Sequence, residues 1–148
     1  MARHVFFSFH YQQDIWRVNQ IRNIGEVVGS AAAGFHDASL WEDVKKKGDS
    51  AIKALINDGL IGTSVTVVCI GSASAGRRYI DYEINQSVAR GNGILGIQVH
   101  DLKDKNGKTT SVGSIPLGLK NLGAPVYKYV DHTTLKLRIE EAAKKAGK

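Results

Sequence analysis

Apolar residues along the chain fall into short runs and helical stripes that alternate. The run at 5–9 (Val-Phe-Phe-Ser-Phe) reads as a buried first strand. Asp14 then suits a helix start, with Ile15, Val18 and Ile21 at helical spacing. Small residues from Gly25 to Gly34 loosen its end, and 34–37 predicts a short second strand. The stretch 37–43, followed by three lysines, reads as an irregular charged loop. Asp49 or Ser50 is placed to cap a helix whose apolar face is Ile52, Leu55, Ile56 and Leu60. Residues 63–70 are β-branched and almost continuously apolar, as a central parallel strand requires. Ile80, Ile84 and Val88 give the next helix a buried stripe, ended by Gly91-Asn92-Gly93 with a left-handed cap. A fourth strand follows at 94–99. The stretch 101–123 is polar and turn-rich, with a tight turn at Asn106-Gly107. Residues 126–130 predict a weaker edge strand. Leu135, Ile139, Ala142, Ala143 and Ala146 mark a final helix.

The order βαβαβαβ-loop-βα implies an α/β fold with a parallel sheet and helices on both faces. Five strands fit the flavodoxin-like order 2-1-3-4-5 better than a six-stranded dinucleotide fold. The 148 residues are expected to form one domain, 1–148, without repeats or linkers.

Composition narrows the class. An apolar fraction of 43% supports a sizeable core and excludes disorder. No apolar run approaches the ~20 residues of a membrane span, and the start lacks the pattern of a signal peptide. The single cysteine, Cys69, cannot form an internal disulfide, so the expected location is cytoplasmic. The formal charge of +6 concentrates at Lys45-Lys46-Lys47, Arg77-Arg78 and the C-terminal lysines. That balance suits nucleic acid, a phosphate-bearing small molecule or an acidic partner. No helix-turn-helix, zinc finger or RNP-like run supports nucleic acid.

In such a sheet the residues past the strand ends share one rim, where ligands bind. Here these are 8–10, 36–41, 71–74 and 100–101. Glu83 reaches the rim if its helix starts near Gly76. On that spacing it lies with Tyr79, Tyr82 and Gln86 on a face adjoining the core stripe. A carboxylate between aromatic walls suits holding a sugar hydroxyl or stabilising a cationic transition state. A surface glutamate paired with Arg78 or Arg90 is the plainer reading. The stretch 71–76 has two glycines five apart, but Arg77-Arg78 stand where an NTPase loop needs Lys and Ser/Thr. A looser contact of its backbone and arginines with a diphosphate stays open. His10, His36 and His100 lack the spacing of local metal-ligand pairs, so no metal is expected. No G-x-S-x-G elbow supports a serine triad.

Four stretches, 5–10, 33–43, 63–72 and 78–84, resemble in order and spacing the TIR-like domains of the bacterial Thoeris antiphage branch. The last resembles the TIR pattern Trp-Cys-x-x-Glu, with Tyr79, Ile80 and Glu83 at its three defined places. Tyr for Trp and Ile for Cys are departures from it. The resemblance implies cleavage of the nicotinamide–ribose bond of NAD as substrate, with Glu83 as the essential carboxylate. It implies a cyclic ADP-ribose-type product, which couples the protein to a separate effector through a diffusible nucleotide. Phe7, Ser8, Phe9 and His10 would line the pocket, and Asp37, Ser39 and Trp41 would lie on a closing loop. Ser72, Arg78 and Tyr79 would complete the substrate contacts. Catalytic TIR domains often assemble into homo-oligomers on activation, and others are interaction modules without catalysis. That second class is the alternative function, and a nucleoside deoxyribosyltransferase-like enzyme is a third.

Overall fold

In the computed structural model of the chain, the described residues are 3–22, 24–32 and 38–148, the side chains of 38–41 excepted. The elements are β1 (Arg3–Ser8), α1 (Tyr11–Asn19), β2 (Val27–Ser30), α2 (Ala38–Lys45), α3 (Asp49–Leu60) and β3 (Val65–Ile70). They continue with α4 (Arg78–Ala89), β4 (Gly93–Gln98), α5 (Leu117–Leu122), β5 (Val126–Lys128) and α6 (His132–Lys145). All strand pairs are parallel, and the sheet order is β2-β1-β3-β4-β5. This is the five-stranded flavodoxin-like order expected from the sequence.

β3 is central and every one of its six residues is buried. Its side chains alternate between faces. Val65, Val67 and Cys69 join a core with Leu135 and Ile139 of α6. Val68 and Ile70 pack instead with Ile80 and Ile84 of α4 and Leu119 of α5. Each such isoleucine or leucine contributes roughly 2–3 kcal/mol by leaving water. The sheet is thus covered on both sides, which explains why β3 reads as a continuous apolar run.

Three elements differ from the expectation, one of them α5, a short helix inside the 101–123 stretch read as a loop. The second strand is β2, Val27–Ser30, inside the stretch read as a loosened helix end. The segment 34–37, expected to be that strand, lies outside the described residues. β2 is a short edge strand with only Val27 buried, so it carries no alternating signature. Gly29 is required there: a Cβ would sit 2.3 Å from the Arg22 carbonyl oxygen. The charged stretch read as irregular contains α2. Val44 anchors it in the core while the three lysines after it stay exposed.

The 101–116 loop is tied down from beneath by Arg17, which is 1% exposed. Its guanidinium donates to the carbonyls of Leu102 (2.7 Å), Lys108 (3.0 Å) and Gln13 (3.0 Å), and to Asp14 (3.2 Å). The expected turn at Asn106-Gly107 is present. Asp104 Oδ1 accepts from the Asn106 and Lys108 amides, and Gly107 has φ 75°. Asp14 begins no helix, because α1 starts three residues earlier; it is buried in the first turn instead.

Candidate active site

α4 presents Ile80, Glu83, Ile84 and Ser87 to the sheet. Their spacing of i, i+3, i+4, i+7 is that of a core stripe. Glu83 therefore occupies a core position, 3% exposed, rather than the adjoining face expected for it. Val88, expected in the stripe, is 45% exposed. The sheet meets this carboxyl with polar groups. Ser8 Oγ donates to Glu83 Oε1 at 2.8 Å, from the last residue of β1. One turn on, the Ser87 hydroxyl donates to the Glu83 carbonyl (2.7 Å) and lies 2.7 Å from Thr66 Oγ1. Asn92 Nδ2 donates to Thr66 Oγ1 at 3.3 Å and closes this buried polar seam. Desolvation raises the Glu83 pKa from 4.5 to about 8, against the opposing effect of the Ser8 hydrogen bond. An uncharged carboxyl at neutral pH is the consequence, in a site where a cation would favour its ionised form.

Glu83 opens into a pocket of ≈ 240 Å³. The pocket lies past the C-terminal end of β1, where the sheet order reverses direction between β1 and β3, the switch point at which open α/β sheets bind ligands. The β1–α1 junction supplies Phe9, His10, Tyr11 and Gln12. α2 supplies Lys45, and the start of α4 supplies Arg77, Arg78, Tyr79 and Ile80. Phe9 and Tyr11 stack with ring centroids 4.3 Å apart and form a rigid aromatic wall. Burial, and then the nearby charges of Arg77 and Lys45, push the His10 pKa below its usual value, while Glu42 opposes them.

Asp49, at the start of α3, holds the opposite wall. It accepts from the Tyr79 hydroxyl (2.8 Å) and pairs with Arg78 (2.5 Å) and Lys53 (3.2 Å). Its pKa is lowered, first by the Tyr79 hydrogen bond. Tyr82 turns away from the pocket: its hydroxyl accepts from Asn57 of α3.

Of the residues expected at the site, Phe9, His10, Arg78, Tyr79 and Glu83 line this pocket. Ser8 touches Glu83 from below. Phe7 is fully buried in the core, on the side of β1 where Gly29 approaches it. Ser72 lies outside the lining and accepts from Gln13 of α1. Ser39 and Trp41 fall on α2 with side chains outside the described set, and Asp37 is outside the described residues. Polar groups of the stretch 71–76 are used within the fold: the Gly71 amide donates to Ser74 Oγ (2.8 Å), which in turn donates to the Cys69 carbonyl (3.3 Å). Arg77 Nε donates back to the Ala73 carbonyl (2.9 Å). His100 faces Asp101 at 3.5 Å.

The sequence reading missed Tyr11, Gln12 and Lys45 as lining residues. Lys45 was hidden because its stretch was read as a loop. The polar seam did have a signal: Ser8 and Thr66 interrupt the apolar runs 5–9 and 65–70, and Ser87 lies one turn beyond Glu83.

A parallel sheet in this order, with a buried glutamate on α4 beside the first-strand serine, defines a TIR-like α/β domain with an enzyme-like pocket. The family model described as "Thoeris protein ThsB, TIR-like domain" matches residues 6–104, and the chain belongs to this family. It is also 52% identical over 118 residues to a protein of Bacillus cereus (strain MSX-D12) named "Putative cyclic ADP-D-ribose synthase ThsB1". That match covers 78% of this chain and 62% of the relative, so the chain spans less than two thirds of the relative's length.

Proposed function

We propose that this protein cleaves the nicotinamide–ribose bond of NAD and closes the ADP-ribose product into a cyclic signal. The observation that carries the reading is Glu83, a buried carboxyl at the head of a switch-point pocket. The family and the name of the Bacillus cereus relative support the same chemistry.

NAD carries a cationic pyridinium. Entry of that ring beside Glu83 favours the carboxylate, so binding itself draws the proton from the group. As nicotinamide leaves, positive charge moves to the ribose as oxocarbenium character. A fixed, desolvated carboxylate stabilises that charge far better than one in water. Ser8 Oγ holds the carboxyl in one orientation. The apolar walls of Phe9, Tyr11 and Ile80 limit water, which favours attack by a group of ADP-ribose over hydrolysis. The cyclic product would act on a separate effector in antiphage defence, and assembly of copies of this chain would accompany activation.

The test is nicotinamide release from NAD by concentrated protein, with and without lysate of phage-infected cells, with products resolved by mass spectrometry. Glu83→Gln is expected to lower the rate by about 10³-fold or more. NAD that persists under every condition would favour a non-catalytic interaction module. Turnover of deoxynucleosides with NAD ignored would favour the deoxyribosyltransferase-like reading.

A further inference from the structure

The pocket is small, ≈ 240 Å³, below the range that encloses a drug-sized ligand. It can hold the nicotinamide riboside end of a dinucleotide and leaves the diphosphate at its mouth. Three cations line that pocket: Lys45, Arg77 and Arg78. Arg78 is held twice on the opposite wall, by Asp49 at 2.5 Å and over the Tyr79 ring at 5.3 Å. Arg77 is exposed and uses Nε on the Ala73 carbonyl, a bond that does not engage its two terminal nitrogens. Lys45 is exposed too, and its Nζ meets only Glu42 among the described residues, at 3.1 Å. An exposed pair of that kind is worth little, so Lys45 is free to turn to a better anion. His10 lines the same pocket and feels both cations and Glu42. Its Nδ1 is buried with no hydrogen-bond partner among the described residues.

We propose that Lys45 and Arg77, with the His10 imidazole as a third donor, form a phosphate or diphosphate subsite at the mouth of the Glu83 pocket. This deepens the proposed function and rests on that reading for its natural ligand. Lys45 comes from α2 and Arg77 from the residue before α4, so the two basic groups approach from different elements. An arginine fork and a mobile ammonium are the usual pair for such an oxyanion. A bound phosphate offsets the repulsion that Arg77 and Lys45 exert on His10 and favours the imidazolium. The ring then becomes a double donor.

The experiment titrates inorganic pyrophosphate and, separately, ADP-ribose into the full chain. It follows the His10 imidazole signals by NMR, assigned with His10→Gln. Both ligands are expected to bind and to raise the His10 titration midpoint. The double variant Lys45→Gln/Arg77→Gln should bind both about tenfold more weakly or worse, while nicotinamide riboside, which lacks phosphate, binds the two proteins alike. Equal ADP-ribose affinity in the two proteins, or a His10 signal indifferent to both ligands, overturns the subsite. Thermal melting checks that the double variant, changed only at exposed side chains, retains its fold. Two outcomes separate this proposal from the function. Phosphate binding as expected without NAD consumption defeats the enzyme reading and leaves the subsite standing. NAD consumption with a KM unchanged in the double variant defeats the subsite and leaves the enzyme.

Discussion

Burial raises the Glu83 carboxyl from 4.5 to about 8, so the folded protein holds this proton more tightly than the unfolded chain. Below pH 4.5 both states are protonated and the group costs nothing. As pH rises through 4.5 the unfolded state ionises first, and stability falls until the folded group ionises near 8. The loss is on the order of 5 kcal/mol at its limit. Glu83→Gln keeps an acceptor for Ser8 and removes the titration. Its melting temperature should exceed that of the parent at pH 8.5 and converge with it near pH 4.5. A parallel pH dependence of the two melting curves would refute the buried proton. On the proposed function the same group sets activity. In the free protein the carboxylate must form, so kcat/KM for NAD should climb with pH through about 8. The kcat profile should turn at lower pH, because the bound pyridinium favours the carboxylate. A kcat/KM flat from pH 6 to 9 would separate Glu83 from the rate. The sequence placed Glu83 at the rim but not inside the core stripe. Ile80, Ile84 and Val88 form an equally regular apolar face on paper, and only the sheet decides which face is covered.

Arg17 joins an element to a loop. Its bonds to Leu102 and Lys108 hold the 101–110 segment against α1, and it partners the buried Asp14, itself raised to about 6 by desolvation. Arg17→Met should cost about 3 kcal/mol at pH 8, where Asp14 is ionised and left alone, and less at pH 5, where it takes up a proton. Amide hydrogen exchange at 103–108 should speed up while β3 stays protected; unchanged exchange there would show that the turn holds itself. Close approach of β4 to α6 is a second case. A Cβ at Gly93 would lie 2.4 Å from the Ala142 carbonyl oxygen, which cannot swing aside. Gly93→Ala should therefore destabilise by about 2 kcal/mol or more, read by urea unfolding. These contacts join residues far apart in sequence, so periodicity carries no trace of them. Helices α3 and α6 were legible because their apolar stripes are long and regular. β2 was not, being four residues at an edge with one buried side chain.

At the scale of the molecule the formal charge is +6, and part of that excess sits around the pocket. A cationic protein with Lys45, Arg77 and Arg78 at its site should draw a diphosphate ligand from solution. Raising ionic strength from about 0.05 to 0.5 M should lower kcat/KM for NAD severalfold, chiefly through KM. Salt-independent kinetics would argue against this steering. Among the described residues no helix is long and apolar enough to cross a membrane.

Sequence alone determined the α/β class, the long helices and central strands, and the parallel sheet order, because side-chain periodicity and chain connectivity are local properties; β2, α2 and α5 escaped it. It also singled out Glu83 and the rim on which its pocket opens. Tertiary structure decided the state of that carboxyl. Ser8 and Glu83 are 75 residues apart, and their 2.8 Å hydrogen bond exists only because β1 and β3 lie side by side under α4. Burial, and with it the proton Glu83 keeps, follows from that packing, as does the arrival of Lys45 and Arg77 at one pocket mouth from separate elements.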